Sequence, residues 1–137
     1  MSYHEHEQDQ ERLFSLSEAN QLIPQLESLM ATIQRGKAFL FRINQEIRRA
    51  ASKASEGGGT PVGSHYIRTL HAVATSLHTI HELGVVVKDL DVGLCDFPHL
   101  RHGRVVYLCW KFGEKEIRWW HELTNGYNDR QPIEEPH

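Results

Sequence analysis

Residues 88–98 read KDLDVGLCDFP, between the apolar runs VVV (85–87) and VVYLCW (105–110). Clustered carboxylates are the oxygen ligands that Mg²⁺, Mn²⁺ or Ca²⁺ requires, and a histidine added to them extends the set to a transition metal. Asp89, Asp91 and His121 are the metal-ligating set this suggests, with a divalent ion as the cofactor. The spacing D-L-D-V-G-L-C-D lacks the closing glutamate of a calcium loop and so names no particular ion. A structural account competes with the chemical one. Asp91 before Val-Gly suits a turn, and Asp96 stands diagonal to Lys111 as a cross-strand ion pair. Asp89 is the aspartate that this account leaves unexplained.

The second polar concentration is GEKEIRWWHEL, residues 113–123. His121 is a candidate general base, with Glu114, Glu116 or Glu122 near enough in sequence to orient it, so His121 and Glu114 are the catalytic candidates. Read structurally, the same stretch is a strand whose Trp119 fills the core. Arg130 in NDRQP could clamp an anion through two parallel N–H groups or bridge to an aspartate. His78 and His81, one helical turn apart, could share a metal, but no third ligand follows from the pattern. Cys95 and Cys109 have no C-x-x-C or helix N-terminal context that would activate a thiol. Cys109 inside VVYLCW reads as a small apolar residue. No glycine-rich phosphate loop, nucleophile elbow or zinc-knuckle spacing occurs.

These residues must be positioned by a single domain of 137 residues, 24% charged and 39% hydrophobic. The formal net charge of -3 carries no footprint for nucleic acid, and no apolar run reaches the ~20 residues of a membrane helix. The polar N-terminus and the two cysteines point to a cytoplasmic protein with reduced thiols.

Residues 1–12 read as a disordered tail ahead of one domain over 13–133. Ser15 with Glu18 forms a capping box, and Phe14 begins a hydrophobic staple. Leu22, Leu26, Leu29, Ile33, Leu40, Ile43, Ile47 and Ala50 then recur at threes and fours, with Pro24 kinking the first turns and Gly36 admitting a bulky neighbour. A glycine-rich loop over 51–63 leads to a second helix with Ile67, Leu70, Ala74, Leu77 and His81 as its stripe, ending at Gly84. The two helices form an antiparallel hairpin over 15–83, the first overhanging the second.

A β-meander over 85–123 follows. A two-residue turn at His102-Gly103 pairs Arg101 with Arg104, Asp96 with Cys109 and Cys95 with Trp110. A second turn at Glu114-Lys115 pairs Trp110 with Trp119 and Leu108 with His121. This register sets Asp96 and His121 on opposite faces. Residues 124–133 read as a loop. The expected fold is α+β: a long antiparallel helical hairpin packed on an antiparallel sheet of three or four strands.

The chain resembles the uncharacterised bacterial family called domain of unknown function 2203. FSLSEANQLIPQL, HELGVVVKDLDVGLCDFP, VYLCWKFGE, WWHEL and GYNDRQP carry the resemblance, in that order. The resemblance implies the hairpin followed by the polar region, with no established activity. It singles out Lys88, Asp89, Asp96, Trp110 and Arg130, with Glu114 and His121, as positions matching family motifs, the first five being the ligand-binding candidates. Three functions fit. The first is a small-molecule or metal-binding module. The second is an interaction module that forms a homo-oligomer through the first helix, where Ile23, Met30 and Phe41 make a second apolar row. The third is a metal-assisted or acid–base hydrolase. None of them uses a nucleic acid or a membrane.

Overall fold

A computed structural model describes residues 12–53 and 63–134; all of the expected tail but Arg12, and most of the glycine loop, lie outside them. Ser15 caps helix α1 (Leu16–Gln21), its hydroxyl accepting from the Glu18 amide at 3.0 Å while Glu18 accepts from the Ser15 amide at 2.8 Å. Leu22 interrupts the helix because Pro24 has no N–H to return to the preceding turn. Helix α2 (Ile23–Lys53) then runs 31 residues, and α3 (Gly63–Glu82) returns beside it. No helix among the described residues is long and apolar enough to cross a membrane.

Gly36 decides how α2 and α3 meet. A Cβ there would collide with Cγ2 of Val73. The gap turns Val73, Ser76 and Ile80 inward, with Leu77 partly buried at the core. The expected α3 stripe is therefore only partly correct: Leu77 is in place, while Ile67 and Leu70 are exposed at 66% and 44% and His81 is exposed. Ile23 and Met30 are likewise buried in the core rather than in a free second row, and only Phe41 of that row stays exposed.

The sheet has five antiparallel strands, not three or four: β1 (Val86–Asp89), β2 (Leu94–Arg101), β3 (Arg104–Lys111), β4 (Trp119–His121) and β5 (Gln131–Pro132), in that order. The extra strand comes from the segment read as a loop, which also holds a short 3₁₀ turn at Tyr127–Asp129. Between β2 and β3 the expected register holds at every pair, from Arg101–Arg104 through Asp96–Cys109. Cys95, Phe97, Val106, Leu108, Trp110 and Trp120 of one face join Leu26, Met30, Ile33 and Ile80 of the helices in one buried cluster.

The β3–β4 register differs by one residue: Cys109 pairs with Trp119, Leu108 with Trp120 and Tyr107 with His121. The connection is longer than a two-residue turn and is shaped by specific bonds. The Lys111 amide donates to the Glu114 carboxylate at 2.9 Å, Trp110 Nε1–H to the Glu114 carbonyl at 2.9 Å, and the Ile117 amide to Asn20 Oδ1 at 2.8 Å. A one-residue slip exchanges the faces of a strand. Trp120 thus enters the core, and His121 moves to the face of Asp96.

Candidate functional site

Strand alternation puts Asp96, Tyr107, Cys109, Trp119 and His121 together on the face turned away from the helical core. Asp96 and Cys109 are directly opposed on β2 and β3, and His121 follows on β4. Although this face looks away from the helices, Asp96, Cys109 and His121 are exposed by only 1%, 0% and 2%. One ligand atom from each lies within 4.8 Å of the other two, the one such group of three found among the described residues.

Two hydrogen bonds orient the imidazole. Nδ1–H donates to the Glu122 carbonyl at 2.8 Å, and Nε2 faces Asp96 Oδ2 at 3.0 Å. A carbonyl only accepts, so Nδ1 carries a proton, and a single further proton is shared between Nε2 and Oδ2. Asp96 Oδ1 is buried with no hydrogen-bond partner among the described residues. Burial raises the Asp96 pKa above the ordinary carboxylate value, and the His121 charge and hydrogen bond oppose that rise without overcoming it. Lys88, whose ammonium lies 4.6 Å from the Tyr107 ring centroid, also favours the carboxylate, and the nearby thiol of Cys109 does so weakly without giving Oδ1 a hydrogen bond. Burial and the Asp96 charge push the Cys109 thiol up to about 12, against the pull of Arg130.

Arg130 borders the group. Its Nη1 is 4.0 Å from Cys109 Sγ and 3.2 Å from Glu114 Oε2, and its guanidinium lies 4.0 Å from the Tyr127 ring centroid and 4.9 Å from that of Trp119. Trp110 is a fully buried core residue. Asp89 has the structural explanation its sequence context lacked: its Oδ1 accepts from the Asp91 and Val92 amides at 2.8 and 3.3 Å, closing the β1–β2 turn. Asp91 pairs with Lys37 of α2. Asp96 pairs with His121 rather than with Lys111, whose ammonium lies 5.6 Å from the Tyr127 ring. His78 is exposed and pairs with Glu82 at 3.5 Å. Of the candidates named from sequence, Asp96 and His121 come together, with Arg130, Glu114 and Lys88 around them. Cys109 is the member that sequence reasoning missed, and its signal was the Asp96–Cys109 pairing already legible from the first turn.

A cation held by Asp96, Cys109 and His121 would take the place of the proton shared between Oδ2 and Nε2. A tetrahedral ion with bonds of about 2.0–2.3 Å holds its ligand atoms roughly 3.3–3.7 Å apart, so Oδ2 and Nε2 need to part by only a few tenths of an ångström. The Nδ1–carbonyl bond is the outer-shell partner that metal-bound imidazoles ordinarily have.

These features define an α+β protein whose five-stranded antiparallel sheet buries an aspartate–cysteine–histidine group. Residues 12–133 match the family described as "Uncharacterized conserved protein (DUF2203)", and the chain belongs to that family. No curated protein and no solved structure matches it.

Proposed function

We propose that the protein is a metal-binding module whose ion is held by Asp96, Cys109 Sγ and His121 Nε2. One observation carries this reading: the three ligand atoms converge within 4.8 Å in a buried place. The orientation of His121 by the Glu122 carbonyl and the unpartnered Oδ1 of Asp96 support it. A set containing thiolate and imidazole favours a borderline ion such as Zn²⁺ over Mg²⁺ or Ca²⁺. Ligation deprotonates the thiol and displaces the proton between Oδ2 and Nε2, so binding should release protons.

The test is titration of chelator-treated protein with Zn²⁺ and with Co²⁺. One equivalent should bind, with a thiolate-to-cobalt charge-transfer band, and Cys109→Ala or His121→Ala should weaken affinity by more than about 100-fold, beyond the 10–100-fold typical of outer-shell partners. Absence of stoichiometric binding in the unaltered protein would sink the reading.

Self-association through the hairpin is a second reading, supported by the exposure of Phe41, Ile47, Ile67 and Leu70. Phe41 lies one turn beyond Lys37, on the side of α2 that reaches the β1–β2 turn through Lys37–Asp91 and Gln34.

A further inference from the structure

Strand β2 breaks its own pattern at its far end. Cys95 and Phe97 face the core, and the alternation continues through His99 and Arg101, two polar residues where an apolar pair belongs. The turn that follows is strained at one side chain. His102 has φ of 50° and Gly103 of 83°, the pair of positive angles a two-residue hairpin turn requires. Glycine takes such a φ without cost, so a histidine keeps its imidazole there at the expense of backbone energy. Strain of this kind gathers where a side chain is used. His99, Arg101 and His102 all line one pocket of about 320 Å³, between the start of α1 and the β2–β3 turn. That volume stands at the small end of ligand pockets.

Leu108 and Trp120, both members of the buried core, also line the pocket, so it reaches the wall of the core. No acidic side chain among the described residues lines it. The Arg101 guanidinium lies 4.5 Å from the Trp120 ring centroid and has no carboxylate partner among the described residues. Glu122, whose charge Arg101 also favours, accepts from Arg104 at both of its oxygens. His99 Nδ1–H donates to the Phe14 carbonyl at 2.7 Å, which leaves Nε2 without a hydrogen-bond partner among the described residues. The pocket therefore offers a half-buried guanidinium, an imidazole nitrogen and an aromatic wall together.

We infer that this pocket binds a small aromatic carboxylate. The carboxylate pairs with the planar fork of Arg101, and the ring lies against Trp120 and Leu108. An inorganic anion would leave the apolar wall unused. A neutral hydrocarbon would cover Arg101 without giving its N–H groups an acceptor, which costs free energy. Leu108 and Trp120 are on the core face of the sheet and Asp96, Cys109 and His121 on the other, so the inference is independent of the metal reading.

The test is an NMR titration of isotopically labelled protein with naphthoate, read at the indole N–H of Trp120, which Trp120→Phe assigns. Naphthamide keeps the ring without the charge, and hexanoate keeps the charge without the ring. Naphthoate should shift the Trp120 signal saturably, and both comparison probes should bind at least about tenfold more weakly. Arg101→Gln should weaken naphthoate roughly 10–100-fold and leave naphthamide unchanged, a contrast that a loss of fold would not produce. His102→Gly should weaken naphthoate while raising the melting temperature, because the strain in the turn is gone. Arg118→Gln, outside the pocket, should change neither probe. No saturable shift at Trp120, naphthamide or hexanoate binding as tightly as naphthoate, or undiminished affinity in Arg101→Gln overturns the inference.

Discussion

At the scale of single residues, His121 and Asp96 are unequal partners. Removing His121 leaves a buried carboxyl with neither oxygen satisfied, since Oδ1 already lacks a partner. His121→Ala should therefore destabilise the metal-free protein by about 2–4 kcal/mol. Asp96→Asn keeps an N–H to donate to Nε2 and should cost about 1 kcal/mol or less; urea unfolding of the two variants measures the contrast. The pH dependence has a definite sign. The Asp96 pKa is raised on folding above its ordinary 3.8, so its contribution is fully present below that value and is lost as pH rises through the folded value. Relative to Asp96→Asn, the metal-free protein should lose stability as pH climbs from about 4 upward, and a flat difference between the two would refute it. The Asp96–Cys109 pairing was legible because His102-Gly103 is a tight turn. The approach of His121 was not, because it depends on the parity of a connection whose length is set by Glu114 bonding back to Lys111 and by distant Asn20.

At the scale of elements, the helix pair depends on one missing methyl group. Alanine in place of an exposed helical glycine ordinarily stabilises by about 1 kcal/mol. At position 36 the added Cβ meets Val73, which is β-branched and stiff in a helix, so Gly36→Ala should instead destabilise by about 1–3 kcal/mol. Val73→Ala in the same chain should recover part of that loss, and thermal unfolding of the double-mutant cycle measures it. The heptad pattern revealed both helices and the role of Gly36. It could not fix the rotation of α3, because apolar residues occupy more than half its circumference and only the fit of Val73 against Gly36 selects among them. The two-residue β5 was invisible for another reason: Gln131–Pro132 is too short to show a period and exists by pairing with Trp119 and Trp120.

At the scale of the whole molecule, residues 35–72 hold seven basic and two acidic residues, and the rest of the chain eight basic and sixteen acidic. Averaging over the chain gives -3 and hides the division. The same division bears on self-association. Two hairpin ends of like charge repel, and salt screens that repulsion, so a dimer formed through Phe41, Ile67 and Leu70 should strengthen as salt is raised. Light scattering behind size exclusion reads this directly, and a monomer mass across the whole salt range would exclude it.

The ends of the sheet carry a consequence for how this protein meets others. An open sheet edge invites a further strand, but here both edges are closed to one. β1 is four residues long, with its pairing shifted between Val87 and Asp89 and a charged Lys88 at the shift. β5 is two residues long, and Pro132 has no N–H to offer. Neither edge offers a long, regular template for strand addition, so growth of the sheet from copy to copy is disfavoured.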